Sequence, residues 1–303
     1  MDYLGESAAL LTSLLFSFTA IIFAQASRSL GSLITNRVRL IVALVYLLII
    51  NLILFGQPLP VDAGIDRWAW LSLSGVIGLA LGDMFLFSAY AHIGPRLGML
   101  LMSLAPVIGA LFAWLLFRET LRPGQIVGSG VTLAGIAWVV ATRPAQNSNQ
   151  PHLDRRGLLY GLLAATGQAV GLVLSKRGML GDSSPDDFSP FAANAIRMLA
   201  ALVVFWLMTF AQRQGRETIV AVRQHRSALR LIAVGAFIGP VLGVSASLLA
   251  VQHAEVGVAS TLMALPPVFL LPLSYFIYKE RFGWQTVAGT LVAMAGVALL
   301  FLV

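Results

Sequence analysis

Residues 104–119 read LAPVIGALFAWLLFRE and residues 265–280 read LPPVFLLPLSYFIYKE, an offset of 161 that runs without a gap well beyond both windows. Gly78 maps onto Gly239, Gly82 onto Gly243, His92 onto His253, Pro106 onto Pro267 and Glu119 onto Glu280. Gly128 and Gly135 map onto Gly289 and Gly296 in the same way. Toward the amino terminus the echo continues at a shift of 158, where Asn36-Arg-Val-Arg39 aligns with Asn194-Ala-Ile-Arg197. A chain written twice folds as two similar units, and apolar repeats of this length are a mark of membrane carriers built from internal repeats.

The repeated unit has too few charges for a soluble surface. Only 11% of the 303 residues are charged and 58% are hydrophobic, against roughly 25% charged in a soluble domain. A helix crossing a bilayer needs about 20 apolar residues. Ten such runs fit, at approximately 6–27, 34–55, 68–91, 97–117, 124–142, 157–178, 188–210, 230–251, 257–278 and 283–303. The first is too long for a signal-peptide core and no small-residue cleavage site follows it, so it reads as a retained helix. The most polar stretch, 143–156, falls between runs five and six and divides the chain into a first unit, 1–142, and a second, 157–303. The expected fold is an all-α membrane protein, ten transmembrane helices as two inverted five-helix repeats around a central cavity.

The inversion follows from an odd count. After five crossings the chain stands on the far side of the membrane, so the second unit enters upside down. In such folds the substrate site lies at the repeat interface near the midplane. Odd-numbered connections hold twelve basic residues, and the termini and even-numbered connections five, with Lys176 among the five. The positive-inside rule then places the odd connections in the cytoplasm and both termini outside. The net charge of +7 sits mainly between the apolar runs, where it meets lipid headgroups rather than nucleic acid. The absence of cysteine excludes disulfides, thiolate metal sites and cysteine nucleophiles.

Ser74, Gly78 and Gly82 recur every fourth position in span three, and Gly235, Gly239 and Gly243 do so in span eight. Such stripes let another helix backbone come close, and smooth packing of this kind would also let spans slide during gating. Pro106 and Pro267 fall mid-span, where each either kinks its helix or frees carbonyls that line a cavity.

Ionisable groups within spans are costly and mark function by default. Arg39 and Asp83 lie at similar depths, about 8–12 Å from one face at 1.5 Å per residue. They form either a structural salt bridge or a coupling pair in which Asp83 takes up a proton and releases Arg39. Arg197 occupies the matching place in span seven, but Val244 stands where Asp83 would be. Its charge is answered by a loop acid, Asp186 or Asp187, or by a substrate anion. Gln25, Gln168, Asn36 and Asn194 read as amides facing the bundle, bonded to neighbouring helices or to a substrate. Tyr46, Tyr90 and Trp138 are candidate cavity aromatics. Glu119 and Glu280 read as local partners of Arg118 and Lys279 or as caps, and His92 and His253 as interfacial hydrogen-bonding groups.

Several features together carry a resemblance: the arginine early in span two of each half and a proline-bearing fourth span closing on Arg118-Glu119 or Lys279-Glu280. A glycine-bearing fifth span follows (GQIVGSGVTLAGIAWVV and GWQTVAGTLVAMAGVALL). In this the chain resembles the drug/metabolite transporter superfamily, and within it the EamA-like ten-helix transporters. The resemblance covers nearly the whole chain. It implies a small-molecule substrate such as an amino acid, metabolite or drug, often exported; no cofactor is expected. It also implies both termini in the cytoplasm, opposite to the basic-residue count.

The leading expectation is a secondary carrier, powered by a proton or solute gradient since no GxxxxGK[ST] loop is present. Its setting is the lipid bilayer, in a bacterial inner membrane, as a monomer or homodimer. A flippase or scramblase for lipid-linked intermediates is the alternative. No HExxH, GxSxG or metal-spaced acidic cluster argues for an enzyme or a metal site.

Overall fold

A computed structural model describes residues 3–142, 154–180, 188–278 and 283–302. The described residues form helices and no strand. In hydrocarbon every backbone N–H and C=O must be satisfied within its own segment, which helices achieve. Among the described residues ten helices are long and apolar enough to cross a membrane. Spans one to five are Leu4–Leu30, Leu33–Phe55, Ile65–Ile93, Leu97–Phe117 and Pro123–Thr142. Spans six to ten are Arg155–Leu180, Pro190–Ala211, Arg226–His253, Val256–Leu273 and Trp284–Leu302. A short helix, Gly215–Gln224, joins spans seven and eight. It is tied down by Arg37, which donates to Thr218 Oγ1 at 2.9 Å and to Gln214 Oε1.

The two halves are cross-packed. Ser74, Gly78 and Gly82 of span three lie against span six. A Cβ on Gly171 would stand 2.7 Å from Gly78 Cα, and one on Gly167 3.2 Å from Gly82 Cα. Ser74 Oγ donates to Gly171 O at 2.6 Å and lies 2.8 Å from Ser175 Oγ. The inverted counterpart is span eight on span one, where Gly239 meets Thr19 and Gly243 meets Phe16. Spans five and ten pair with each other, Gly135 against Ala293 and Gly296 against Thr132. Spans two and seven also meet, with Asn51 Nδ2 reaching Phe191 O at 3.4 Å.

Both halves interrupt their helices at matching places. Span three is π-helical over Gly75–Gly82 and span eight over Phe237–Gly243, the i→i+5 winding that leaves carbonyls without their usual α-helical donors and recurs at functional sites. In span eight Pro240 lies inside this stretch, and Asn194 Nδ2 of span seven donates to Pro240 O at 2.8 Å and to Ser245 Oγ at 3.1 Å. Span four breaks at Ser103–Leu104 and span nine at Ala264–Leu265, positions related by the 161 offset. Pro106 and Pro267 are therefore not mid-helix kinks. Each sits in the first turn of a resumed helix, Ala105–Phe117 or Pro266–Tyr278, where a missing N–H costs nothing.

The face that carries the termini is densely packed. Ala9, Ala250, Val256, Ala259 and Leu262 are fully buried in one cluster there. Glu119 links three spans at this face. Its Oε1 lies 2.7 Å from Lys176 Nζ of span six, and its Oε2 accepts the Val256 N–H that opens span nine, at 2.9 Å. Lys176 also donates to Ala254 O at 2.8 Å. Glu119 is thus neither a local partner of Arg118 nor a cap for span five, because Arg118 adopts φ 58° and this left-handed residue turns the next side chain toward spans six and nine. Lys176 is 9% exposed and belongs inside span six rather than in a connection, which removes it from the basic-residue count. Lys279 and Glu280 lie outside the described residues, as do Asp186 and Asp187.

Candidate functional site

A cavity of about 530 Å³ lies at the interface of the two halves, and its lining includes residues of the broken or π-helical stretches or directly beside them, among them Leu79, Asp83, Ser103, Gly239, Pro240, Val244 and Ala264. Irregular backbone at membrane depth is tolerated where it borders such a space rather than lipid. The lining runs out to Tyr90 and Met99. These stand within three residues of Ile93 and Leu97, the span ends on the face opposite the termini.

The polar groups of the cavity form one network and one isolated charge. Arg39 Nη2 lies 2.5 Å from Asp83 Oδ2, and its Nε donates to Asn36 Oδ1 at 2.5 Å. Phe23 of span one stacks below the same guanidinium, 5.5 Å from ring centroid to Cζ. The second carboxylate oxygen of Asp83 accepts from Gln168 Nε2 at 3.1 Å, and the same nitrogen reaches Gly78 O at 3.2 Å. Asn36, Arg39 and Asp83 belong to the first half and Gln168 to the second, so the network spans the repeat interface. Tyr90 lines the cavity about two turns from Asp83 on the same face of the helix, held edge-on to Phe87.

Arg197 stands apart. It lines the cavity and is 4% exposed. Its Nε and Nη1 have no hydrogen-bond partner among the described residues. The guanidinium lies over Gly78, with Nη2 3.8 Å from where a Cβ would be. Asn194, one helical turn earlier, serves span eight and not the cavity.

Several sequence expectations fall elsewhere. Gln25 lies on the exposed side of span one, because Ala26, at 0% exposure, takes the inward position and Gln25 is turned about 100° from it. It is not a bundle-facing amide. Tyr46 packs against Phe237 and Trp138 is 43% exposed, so neither borders the cavity. Gly78, Gly82 and Gly243 are helix-packing positions beside the cavity rather than in its wall. His92 Nδ1 lies 2.9 Å from Asp154 Oδ2 on the face opposite the termini, while His253 Nδ1 stays near its own helix at Leu249 O. Among the described residues no group of three or more His, Asp and Glu side chains is placed to hold a metal.

The sequence reading missed one feature that carried a signal and one that carried none. Gly167, Gly171 and Ser175 repeat the every-fourth-residue spacing of span three, and they are the surface it packs against. Lys176 follows directly, and its buried position has no signal in hydropathy.

A crystal structure of a protein 20% identical in sequence matches 99% of this chain and 96% of its own, with a TM-score of 0.70. At that identity the likeness speaks for the fold. No curated protein matches the sequence. The model of the EamA-like transporter family matches twice, over residues 3–141 and 155–302. Ten membrane-length helices, two copies of the family unit and a cavity between them lead to one assignment: the chain is an integral, multi-pass membrane protein that belongs to the EamA-like transporter family.

Proposed function

We propose that the chain is a secondary carrier that moves a small solute by alternating access through the cavity between its halves. The observation that carries this reading is the Arg39–Asp83–Gln168 network, an ionisable pair set across the repeat interface on the cavity wall. Protonating Asp83 discharges the ion pair, frees Arg39 and weakens the tie between spans two, three and six. That is a local charge change at the interface of the two halves, the kind of switch that coupling to a gradient requires.

The cavity reaches toward the face opposite the termini, while Glu119 and Lys176 tie the other face together. The excess of arginine in the odd-numbered connections favours the open face as cytoplasmic. A carrier resting open to the cytoplasm is arranged to load there, which favours export across a bacterial inner membrane.

The test is reconstitution into proteoliposomes with a pH gradient, screened over amino acids, sugars, nucleotides and drugs. Accumulation of a water-soluble solute that collapses with the gradient supports the proposal. Flipping of a labelled lipid without solute movement would replace it.

A further inference from the structure

The central cavity contains one charge that no described residue answers. Arg197 is buried, two of its three nitrogens have no partner among the described residues, and no described carboxylate pairs with it. A guanidinium stays protonated in a protein, so it cannot escape burial by shedding its charge as a lysine can. The acidic and basic side chains in the wall are Arg39, Asp83 and Arg197. Asp83 answers Arg39, with its other oxygen occupied by Gln168, and Arg197 is the surplus.

The repeat says what is missing. Arg39 and Arg197 are equivalent positions, and the first has its carboxylate in Asp83. The equivalent of Asp83 is Val244, which lines the same cavity. The second half therefore keeps the arginine and lacks the acid. We infer that the carboxylate of a bound organic anion takes, at Arg197, the place that Asp83 takes at Arg39. A guanidinium donates strong, charge-assisted hydrogen bonds to a carboxylate.

The remaining wall describes the rest of the ligand. Met99, Met102, Met198 and Met263 line the cavity together with Phe16 and Leu172. Thioethers adapt to irregular apolar shapes, and a space of about 530 Å³ lies within the usual range for small-molecule sites, roughly 300–1,000 Å³. The ligand class is an organic monocarboxylate with an apolar body, not a sugar and not an organic cation. The inference rests on the carrier reading only for what happens after binding; the binding site stands by itself.

The experiment is titration calorimetry on the purified full-length protein with matched sets on three skeletons: 4-phenylbutyrate, octanoate and indole-3-acetate, each beside its amide and its amine. For at least one skeleton the carboxylate binds about tenfold or more tightly than the amide or amine, as loss of a charged hydrogen-bonding partner implies. Arg197→Gln loses that preference, and Arg197→Lys keeps part of it, which guards against a variant that merely fails to fold. If no carboxylate binds, if amides or amines bind as well in every set, or if Arg197→Gln changes nothing, the inference is overturned. Proteoliposome uptake separates the two readings. A carboxylate that binds at Arg197 but is never moved keeps the site and sinks the carrier. A neutral solute moved while no carboxylate binds does the reverse.

Discussion

Gln168 Nε2, from the second half, lies 3.1 Å from Asp83 Oδ1 of the first and 3.2 Å from Gly78 O in the π-helical stretch beside it. One amide thereby fixes a carboxylate and an irregular backbone carbonyl together, and it ties the charge on Asp83 to the packing of span three on span six.

Asp83→Asn keeps the shape of the side chain and removes its charge. The expected outcome in proteoliposomes is exchange of solute at equal pH with no accumulation against a gradient. Accumulation by the variant would remove Asp83 from any coupling role. Leaving Arg39 without its acid also lowers stability, by about 1–3 kcal/mol, since this pair is only partly shielded from water.

Glu119 and Lys176 tie spans together at the face of the termini. Their side chains are 16% and 11% exposed, and removing one partner of a buried pair costs about 3–5 kcal/mol. Lys176→Met is therefore strongly destabilising, and adding Glu119→Gln restores part of the loss. The natural chain has no cysteine, so a single cysteine at Ala250 or Val251 reports directly on opening. It stays unreactive to a water-soluble thiol reagent in the parent and becomes reactive with Glu119→Gln. Equal reactivity in both would mean the pair is not a gate.

Gly75 and Gly130 form a matched test of close packing. A Cβ at Gly75 would stand 2.1 Å from the Arg197 carbonyl oxygen, whereas at Gly130 nothing lies within 4 Å. Gly75→Ala must push span seven away and costs about 1–3 kcal/mol. Gly130→Ala is neutral or stabilising by up to about 1 kcal/mol, because a glycine in a helix is the more costly residue. Thermal unfolding in detergent checks both, and equal midpoints would contradict the close approach.

Asp154 gives a pH signature outside the membrane. The Arg156 N–H, donating at 3.0 Å, and then His92 hold its carboxyl below the usual carboxylate range. A depressed carboxyl contributes stability that is complete above its ordinary value, about 3.9, and is lost as pH falls through the lower folded value. In a His92→Gln background, the difference in unfolding midpoint between Asp154 and Asp154→Asn stays flat from about pH 8 to 5 and shrinks only in stronger acid. A difference that changes between pH 8 and 5 would mean Asp154 is not held in this way.

The spans were legible because lipid demands long apolar runs. The expected 34–55 is observed as Leu33–Phe55, and 97–117 as Leu97–Phe117. What hydropathy cannot see is hydrogen-bond register. The breaks at Ser103–Leu104 and Ala264–Leu265 and the π-helical stretches are changes of backbone winding within uniformly apolar sequence. They moved Pro106 and Pro267 from expected kinks to first-turn positions. The Arg39–Asp83 pair could be read from depth alone, since two opposite charges at one level have few other partners. Gln25 could not be placed the same way, because its facing depends on rotation about the helix axis, where one residue is about 100°. Glu119 was misjudged because its partners, Lys176 and Val256, come from the other half of the chain.

The cross-packing of the halves has a consequence for how the protein is made. Thr12 of span one and Gly243 of span eight, whose hydroxyl and carbonyl lie 3.4 Å apart, are 231 positions apart in the chain. At roughly 5–20 residues per second of synthesis, span one waits about 10–50 s for this neighbour. Its hydroxyls are provided for in the meantime. Thr12, Ser13, Ser17 and Thr19 each bond a carbonyl of their own helix, Ala8, Leu10, Ser13 and Leu15 in turn, at 2.7 to 2.9 Å. Span one is a helix that can stand alone in lipid while the ribosome writes its partner.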